Sequence, residues 1–170
     1  MTSGVEALVA ELEHEAATTQ RVLARVPNDQ LGWKPHPKSM SLGQLAQHVA
    51  SSPGDVAQLL SNDGLEISPA GMTPPALTSA AELGPLLERS VRAAKAFLSA
   101  LDAQRAMATW RVTKEGKEVF AAPRITAARA ILLNHWYHHR GQLSVYLRLL
   151  DVPVPSIYGP SADEDPFAAA

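Results

Sequence analysis

Apolar residues recur at spacings of three and four in four stretches of the chain, with Pro and polar residues between them. In the first stretch Val5, Leu8, Val9, Leu12, Ala16, Val22, Leu23 and Val26 make one stripe on a helix of about six turns, which Pro27 and Asn28 end. The second opens at Ser41, where Ser41-Leu42-Gly43-Gln44 reads as a capping box, and continues through Leu45, Val49, Ser52, Val56, Leu59 and Leu60. Pro53 lies inside it and predicts a kink, or a restart capped by Ser51 or Ser52. Residues 62–77 hold Asn, Asp, two Gly and three Pro, which predicts a long connection without an element of its own. A second capping box, Ser79-Ala80-Ala81-Glu82, starts the third helix, whose buried side is Leu83, Leu86, Leu87, Val91, Ala94, Phe97, Leu98 and Leu101. Between Met107 and Phe120 the period changes. Trp110 and Val112 on one side and Val119 and Phe120 on the other flank Lys114-Glu115-Gly116-Lys117, the pattern of a small hairpin. The last helix starts near Pro123, a residue favoured at the first helical position, and runs to about Leu150. These elements predict an all-α fold, a four-helix bundle with one long crossover and a small hairpin before the last helix, in a single domain over residues 1–170. The Pro-rich tail from Val152 to Glu164 is not helical, and Ile157 and Tyr158 predict that it packs on the rest.

Composition narrows the chemistry. The chain has 170 residues, 15 Lys plus Arg, 17 Asp plus Glu, six His and no Cys. A domain of this length needs no metal or disulfide staple to fold, so a metal site would serve function first. Without Cys, disulfides, Cys-ligated zinc, iron-sulfur clusters and cysteine nucleophiles are excluded. A net charge of −2 and a pI near 6.3 give no electrostatic footprint for nucleic acid. No apolar run approaches the roughly 18 residues of a spanning helix, and the first residues are acidic where a signal peptide is basic. The expectation is a cytoplasmic protein with no membrane and no nucleic-acid partner. No Gly-x-Ser-x-Gly elbow or phosphate-cradling loop is present either.

The histidines carry what chemistry there is. His135 and His139 are four apart, so both rings project from one face of the last helix about one turn apart. At about 100° per residue, Leu132, Trp136, His139, Leu143, Leu147 and Leu150 define the buried stripe, with His139 near its middle. Buried neutral imidazoles need polar partners, which a Glu, an Asp or a backbone carbonyl supplies in one reading. His48 beside the stripe of the second helix favours another: three inward-leaning His on two helices match three protein ligands plus an open position. Three nitrogens without a thiol suit zinc, nickel or another borderline divalent ion. His138 falls on the flank of the last helix, His14 points away from the core and His36 lies in the Pro-bounded loop Lys34-Pro35-His36-Pro37.

The stretch from His135 through His139, Gln142, Tyr146 and Arg148, the tail from Val154 through Tyr158 to Asp163 and Glu164, and the stretch from Trp33 through Gln44 to His48 closely resemble the DinB family of bacterial proteins. The resemblance covers almost the whole chain. It implies a DinB/YfiT-like four-helix bundle, usually a homodimer, with a divalent metal on three His. The first ligand falls on His48 and the other two on His135 and His139. The superfamily includes thiol S-transferases using bacillithiol or mycothiol and a mycothiol-dependent isomerase, and many members have no assigned reaction.

Three activities fit these residues. A metal-dependent transferase would bind a low-molecular-weight thiol on the ion and deliver the thiolate to a small-molecule electrophile. A metal hydrolase would activate water and would want a carboxylate nearby, which Asp163 or Glu164 supplies if the tail folds over the pocket. A stress-related bundle would bind metal or a small molecule without turnover. Gln142 is expected either to hold a metal-bound His from behind or to point at substrate. Arg140 is expected to pair with a carboxylate of the tail or across a dimer face, or else to be a solvated charge. Tyr137, Val145 and Leu149 make the last helix apolar around much of its circumference, which a two-fold partner or the tail would cover.

Overall fold

An unbroken alternation of three and four sets the buried side of the first helix. In the computed structural model of the chain, which describes residues 3–67 and 77–168, α1 spans Ser3–Leu23 and buries Val5, Leu8, Leu12, Glu15, Thr19 and Val22, with Val26 just beyond it. Two polar residues, Glu15 and Thr19, occupy the middle of that stripe, where the sequence pattern had pointed to Ala16. They are accommodated because Thr19 Oγ1 donates to Glu15 O at 2.8 Å and because a cation from the last helix meets them, as described below.

The second helix, α2, is Leu42–Ser61. Its predicted capping box is present: Gln44 N donates to Ser41 Oγ at 3.2 Å and Ser41 N to Gln44 Oε1 at 2.8 Å. Pro53 neither ends nor restarts it. A proline has no N–H to give the carbonyl four residues back, and that carbonyl, Val49 O, instead accepts the indole N–H of Trp136 at 2.8 Å. The next amide, Gly54 N, donates to Ser90 Oγ at 2.7 Å, and Ser90 Oγ donates to Ser51 O at 2.7 Å. Any side chain at Gly54 would bring a Cβ to 3.0 Å from Ser90 Cα, so a glycine here lets the third helix lie close.

The connection over 62–77 does contain an element, contrary to the expectation. β1, Gly64–Ile67, pairs in parallel with β2, Thr109–Lys114, and β2 pairs antiparallel with β3, Lys117–Pro123. The rest of the connection, 68–76, lies outside the described residues. The strand was not legible because three of its four residues are exposed and its partner is 47 positions along, Gly64 facing Arg111. Backbone pairing is what holds it, and Gly64 is required there because a Cβ would stand 2.9 Å from Arg111 O. The fold is thus mostly helical with a small three-stranded sheet in the order β1-β2-β3. The predicted hairpin forms β2 and β3, turned by Glu115 and Gly116 with φ of 52° and 74°, the positive pair that a tight hairpin turn demands.

Between the sheet strands, Ser79 caps a 3-10 turn, Ala80–Glu82, that leads into α3, Leu83–Ser99. A short helix, α4, Ala103–Met107, capped by Asp102, precedes β2. The final helix starts at Arg124, directly after Pro123, but is not uniform: α5 is Arg124–Ala127, a π-helical segment covers Ala128–Asn134, and α6 is His135–Leu149. Arg124 is buried and donates to Asn62 O at 2.5 Å, to Leu60 O and to Asp63 at 3.2 Å, so it closes the carbonyl end of α2. One core runs through all four long helices and reaches Trp110 of the sheet.

The tail packs through Val154, Pro155 and Ser156. Its two carboxylates hold it in place: Asp163 pairs with Arg148 and accepts Val154 N at 2.9 Å, while Glu164 pairs with Arg21 and accepts Ser156 N at 3.1 Å. They are therefore engaged with α1, α6 and the tail itself, and the expectation that they reach over the histidines is replaced by this docking role.

Candidate metal centre

The three histidines singled out from the sequence come together at the seam of α2 and α6. One ring nitrogen from each of His48, His135 and His139 lies within 4.8 Å of the others, a group that can hold a metal ion. Ring centroids are 5.1 Å apart for His48 and His135, 4.5 Å for His48 and His139, and 4.4 Å for His135 and His139. All three are half-buried, so the group is reached from solvent. His14, His36 and His138 are exposed and none belongs to the group. His36 accepts the amide of Lys38 at 3.2 Å and so shapes its loop.

The proton arrangement fits a cation. His139 Nδ1 stands 2.7 Å from Gln142 Oε1, and since that oxygen only accepts, the proton is on Nδ1 and Nε2 carries a lone pair. That lone pair points at His135 Nε2, 2.9 Å away, while His135 Nδ1 is buried with no partner among the described residues. Either tautomer of His135 thus leaves something unmet: two lone pairs facing each other, or a buried acceptor without a donor. A divalent ion between the rings would take both Nε2 lone pairs. Gln142 is the outer partner that fixes tautomer and ring orientation at His139, one of the two roles expected for it. On the α2 side Ser52 Oγ donates to His48 O at 2.6 Å and stands 3.4 Å from His48 Nε2.

The surroundings keep these rings neutral. Burial, then the proximity of His139, His48 and His138, pushes His135 down to about 4 from its ordinary 6.5. Burial and His139 lower His48, against a small opposing effect of Asp55. Burial also lowers His139, partly offset by Gln142. Neutral imidazole is the ligating form, so the group is ready for metal at pH 7. The sign for stability follows: between about pH 4 and 6.5 the unfolded chain binds more protons at His135 than the folded one, so metal-free protein loses stability as pH falls through that window. Urea denaturation of metal-free protein should give a plateau at and above pH 6.5 and a decline below it. His135→Asn should flatten that decline, and an unchanged slope would contradict the assignment.

Two residues are not where the sequence pattern put them. The buried stripe of α6 is Trp136, Arg140, Leu143 and Leu147, so Arg140, not His139, occupies its centre, and His139 sits at the rim. Arg140 is neither a surface charge nor bound to a tail carboxylate. Its guanidinium pairs with Glu15 of α1 at 2.6 Å with both side chains buried, donates to Glu15 O at 3.2 Å and Thr19 Oγ1 at 3.1 Å, and reaches Tyr158 Oη of the tail at 2.6 Å. It also lies 5.3 Å from the centre of the Tyr137 ring and 5.2 Å from that of Tyr158. The signal for this network was present in α1, where Glu15 and Thr19 keep the spacing of the apolar stripe. Tyr137 donates to Glu11 at 3.0 Å, and burial and Glu11 both raise its phenol above the ordinary range.

A family model described as the DinB superfamily matches residues 11–143, a span that includes all three histidines. Among curated proteins, the uncharacterized protein YrdA of Bacillus subtilis is 29% identical over 154 residues, covering 89% of this chain and 86% of its own length. Among solved structures, a DinB-like protein from Bacillus cereus superposes with a TM-score of 0.65 at 22% identity, over 90% of this chain and 97% of that one. The DinB-like protein YjoA from Bacillus subtilis does so with a TM-score of 0.63 at 19% identity, over 86% and 96% of the two chains. These two structural likenesses bear on the fold.

Proposed function

Because this chain belongs to the DinB superfamily and gathers three half-buried histidines on two helices, we propose that it is a metal-dependent enzyme that binds a divalent cation, zinc or nickel, on His48, His135 and His139 and transfers a low-molecular-weight thiol to a small-molecule electrophile. The observation that carries the reading is the donor set itself: three neutral ring nitrogens and no carboxylate in the group. Such a set leaves the ion its full charge, and a thiol coordinated to an ion of that kind is deprotonated outright. His139, held by Gln142, and His48, backed by Ser52, orient the donors. No strong base is then needed from the chain: the thiol proton passes to solvent, the sulfur bonds to the electrophilic carbon, and the leaving group departs with its electron pair.

A hydrolase of the same metal would need a proton carrier, and Asp163 and Glu164 are committed to Arg148 and Arg21. The test is untagged protein analysed for metal, then assayed with several thiols against a generic aromatic electrophile. Turnover that requires both metal and thiol is the expected result. Turnover with metal but without thiol selects the hydrolase, and tight metal binding with neither selects a non-catalytic binder.

We also propose that the protein is a homodimer. Val145 and Leu149 of α6 are 56% and 58% exposed, and the docked tail does not cover them. A second copy of the chain packed on this face would cover them. Sedimentation should give twice 18.2 kDa; a concentration-independent mass near 18.2 kDa would remove the dimer.

A further inference from the structure

The last helix holds α2 at two places. Near its start the buried Arg124 donates to Leu60 O and Asn62 O, and twelve residues on the buried Trp136 donates to Val49 O. In a straight α-helix these positions cannot face the same neighbour. Twelve residues at about 100° each would set them about 120° apart around the axis. Between them lies the π segment Ala128–Asn134, whose longer hydrogen-bonded turn takes in one additional residue. Eleven effective steps bring Arg124 and Trp136 to within about 20° of each other.

Burial along the helix fits the same insertion. Arg124, Ala128, Leu132 and Trp136 are buried at successive steps of four, which would carry the buried face about 120° round a regular α-helix over these twelve residues and only about 20° with one residue absorbed. From Trp136 the buried positions continue at Arg140, Leu143 and Leu147.

We infer that the π turn at Ala128–Asn134 is a positioning device for the histidine site: it lets one helix keep both Arg124 and Trp136 on α2, and so sets His135 and His139 against His48. His135 is the first residue after the segment, and Trp136, which fixes the helix on α2, is its neighbour. Without the inserted residue, one anchor or the other must rotate away by about 100°. While Arg124 holds the start of the helix, the part that gives way is the part carrying the two histidines.

The inference rests on the metal reading above, and the experiment separates the two. Zinc affinity is measured by chelator competition for the parent protein, for a variant lacking the exposed Ala130, for Arg124→Ala, and for the two changes combined. Loss of an outer partner alone weakens a metal site about 10–100-fold, so a displaced ligand pair should weaken it by about 100-fold or more, with the helical circular dichroism retained. Arg124→Ala alone should leave affinity within about tenfold of the parent. Combined with the deletion it should restore most of the loss, because the start of the helix is then free to slide while Trp136 and the histidines keep their places. A deletion variant that binds zinc like the parent overturns the inference, and so does a loss that Arg124→Ala fails to restore. If the deletion prevents folding, amide exchange of residues 128–134 in the parent decides: it should slow on zinc addition, and unchanged exchange there overturns the coupling. A parent that binds no zinc removes the metal reading, and this inference with it.

Discussion

His48→Ala, His135→Ala and His139→Ala should each bind zinc or nickel about 100-fold or more weakly than the parent, since loss of an outer partner alone costs about 10–100-fold, with the helical signal preserved. The fold does not depend on these rings, because the core is built from the apolar faces of four long helices and Trp110 and the three imidazoles are only half-buried. Each replacement removes one of three nitrogen donors from the group. Gln142→Ala should have a smaller effect, about 10–100-fold, since it frees the His139 ring held at 2.7 Å without deleting a ligand. His14→Ala and His36→Ala should leave binding unchanged, both side chains being exposed and outside the group. Equilibrium dialysis against a metal buffer measures all of these. Stoichiometric metal retained in every one of the three histidine variants would end the assignment.

Arg140→Ala should destabilise the protein by about 3–5 kcal/mol, a large fraction of the roughly 5–15 kcal/mol that holds a domain of this kind together. The magnitude comes from what the change leaves behind. Glu15 is buried beside α6 and its carboxylate pairs with Arg140 at 2.6 Å, so without the guanidinium a charge remains in the interior with Tyr158 Oη, at 3.2 Å, as its remaining side-chain donor among the described residues. Replacing both members, Arg140→Met with Glu15→Leu, should recover most of the loss, because an apolar pair of similar volume needs no compensation there. Tyr158→Phe removes a single hydroxyl from the same network and should lower stability by about 1 kcal/mol, loosening the tail from α1. Urea denaturation distinguishes these cases. A loss of under 1 kcal/mol for Arg140→Ala would show that the buried pair is not what joins α1, α6 and the tail.

The sequence by itself determined those features whose cause is local. Ser41 with Gln44 and Ser79 with Glu82 start helices because the cap and its reciprocal partner are three residues apart. Glu115-Gly116 turns the hairpin because both residues adopt positive φ, and His135 with His139 share a helical face because of their four-residue spacing. That His48 joins them was legible as well, from its place beside an apolar stripe and from the family resemblance. Tertiary structure alone decided the rest, in each case through a partner far along the chain. Pro53 stays within a continuous helix because Trp136, 83 positions away, supplies the missing donor to Val49 O. Gly64–Ile67 becomes a strand because β2 offers a backbone edge. Arg140 is interior because Glu15 and Thr19 wait for it on α1, so the residue that charge would place in solvent takes the centre of the stripe and His139 moves to the rim, half-exposed to solvent. The π turn ahead of His135 belongs with these: no local preference calls for it, and it exists because two anchors on α2 must be met by one helix whose natural turn would miss the second.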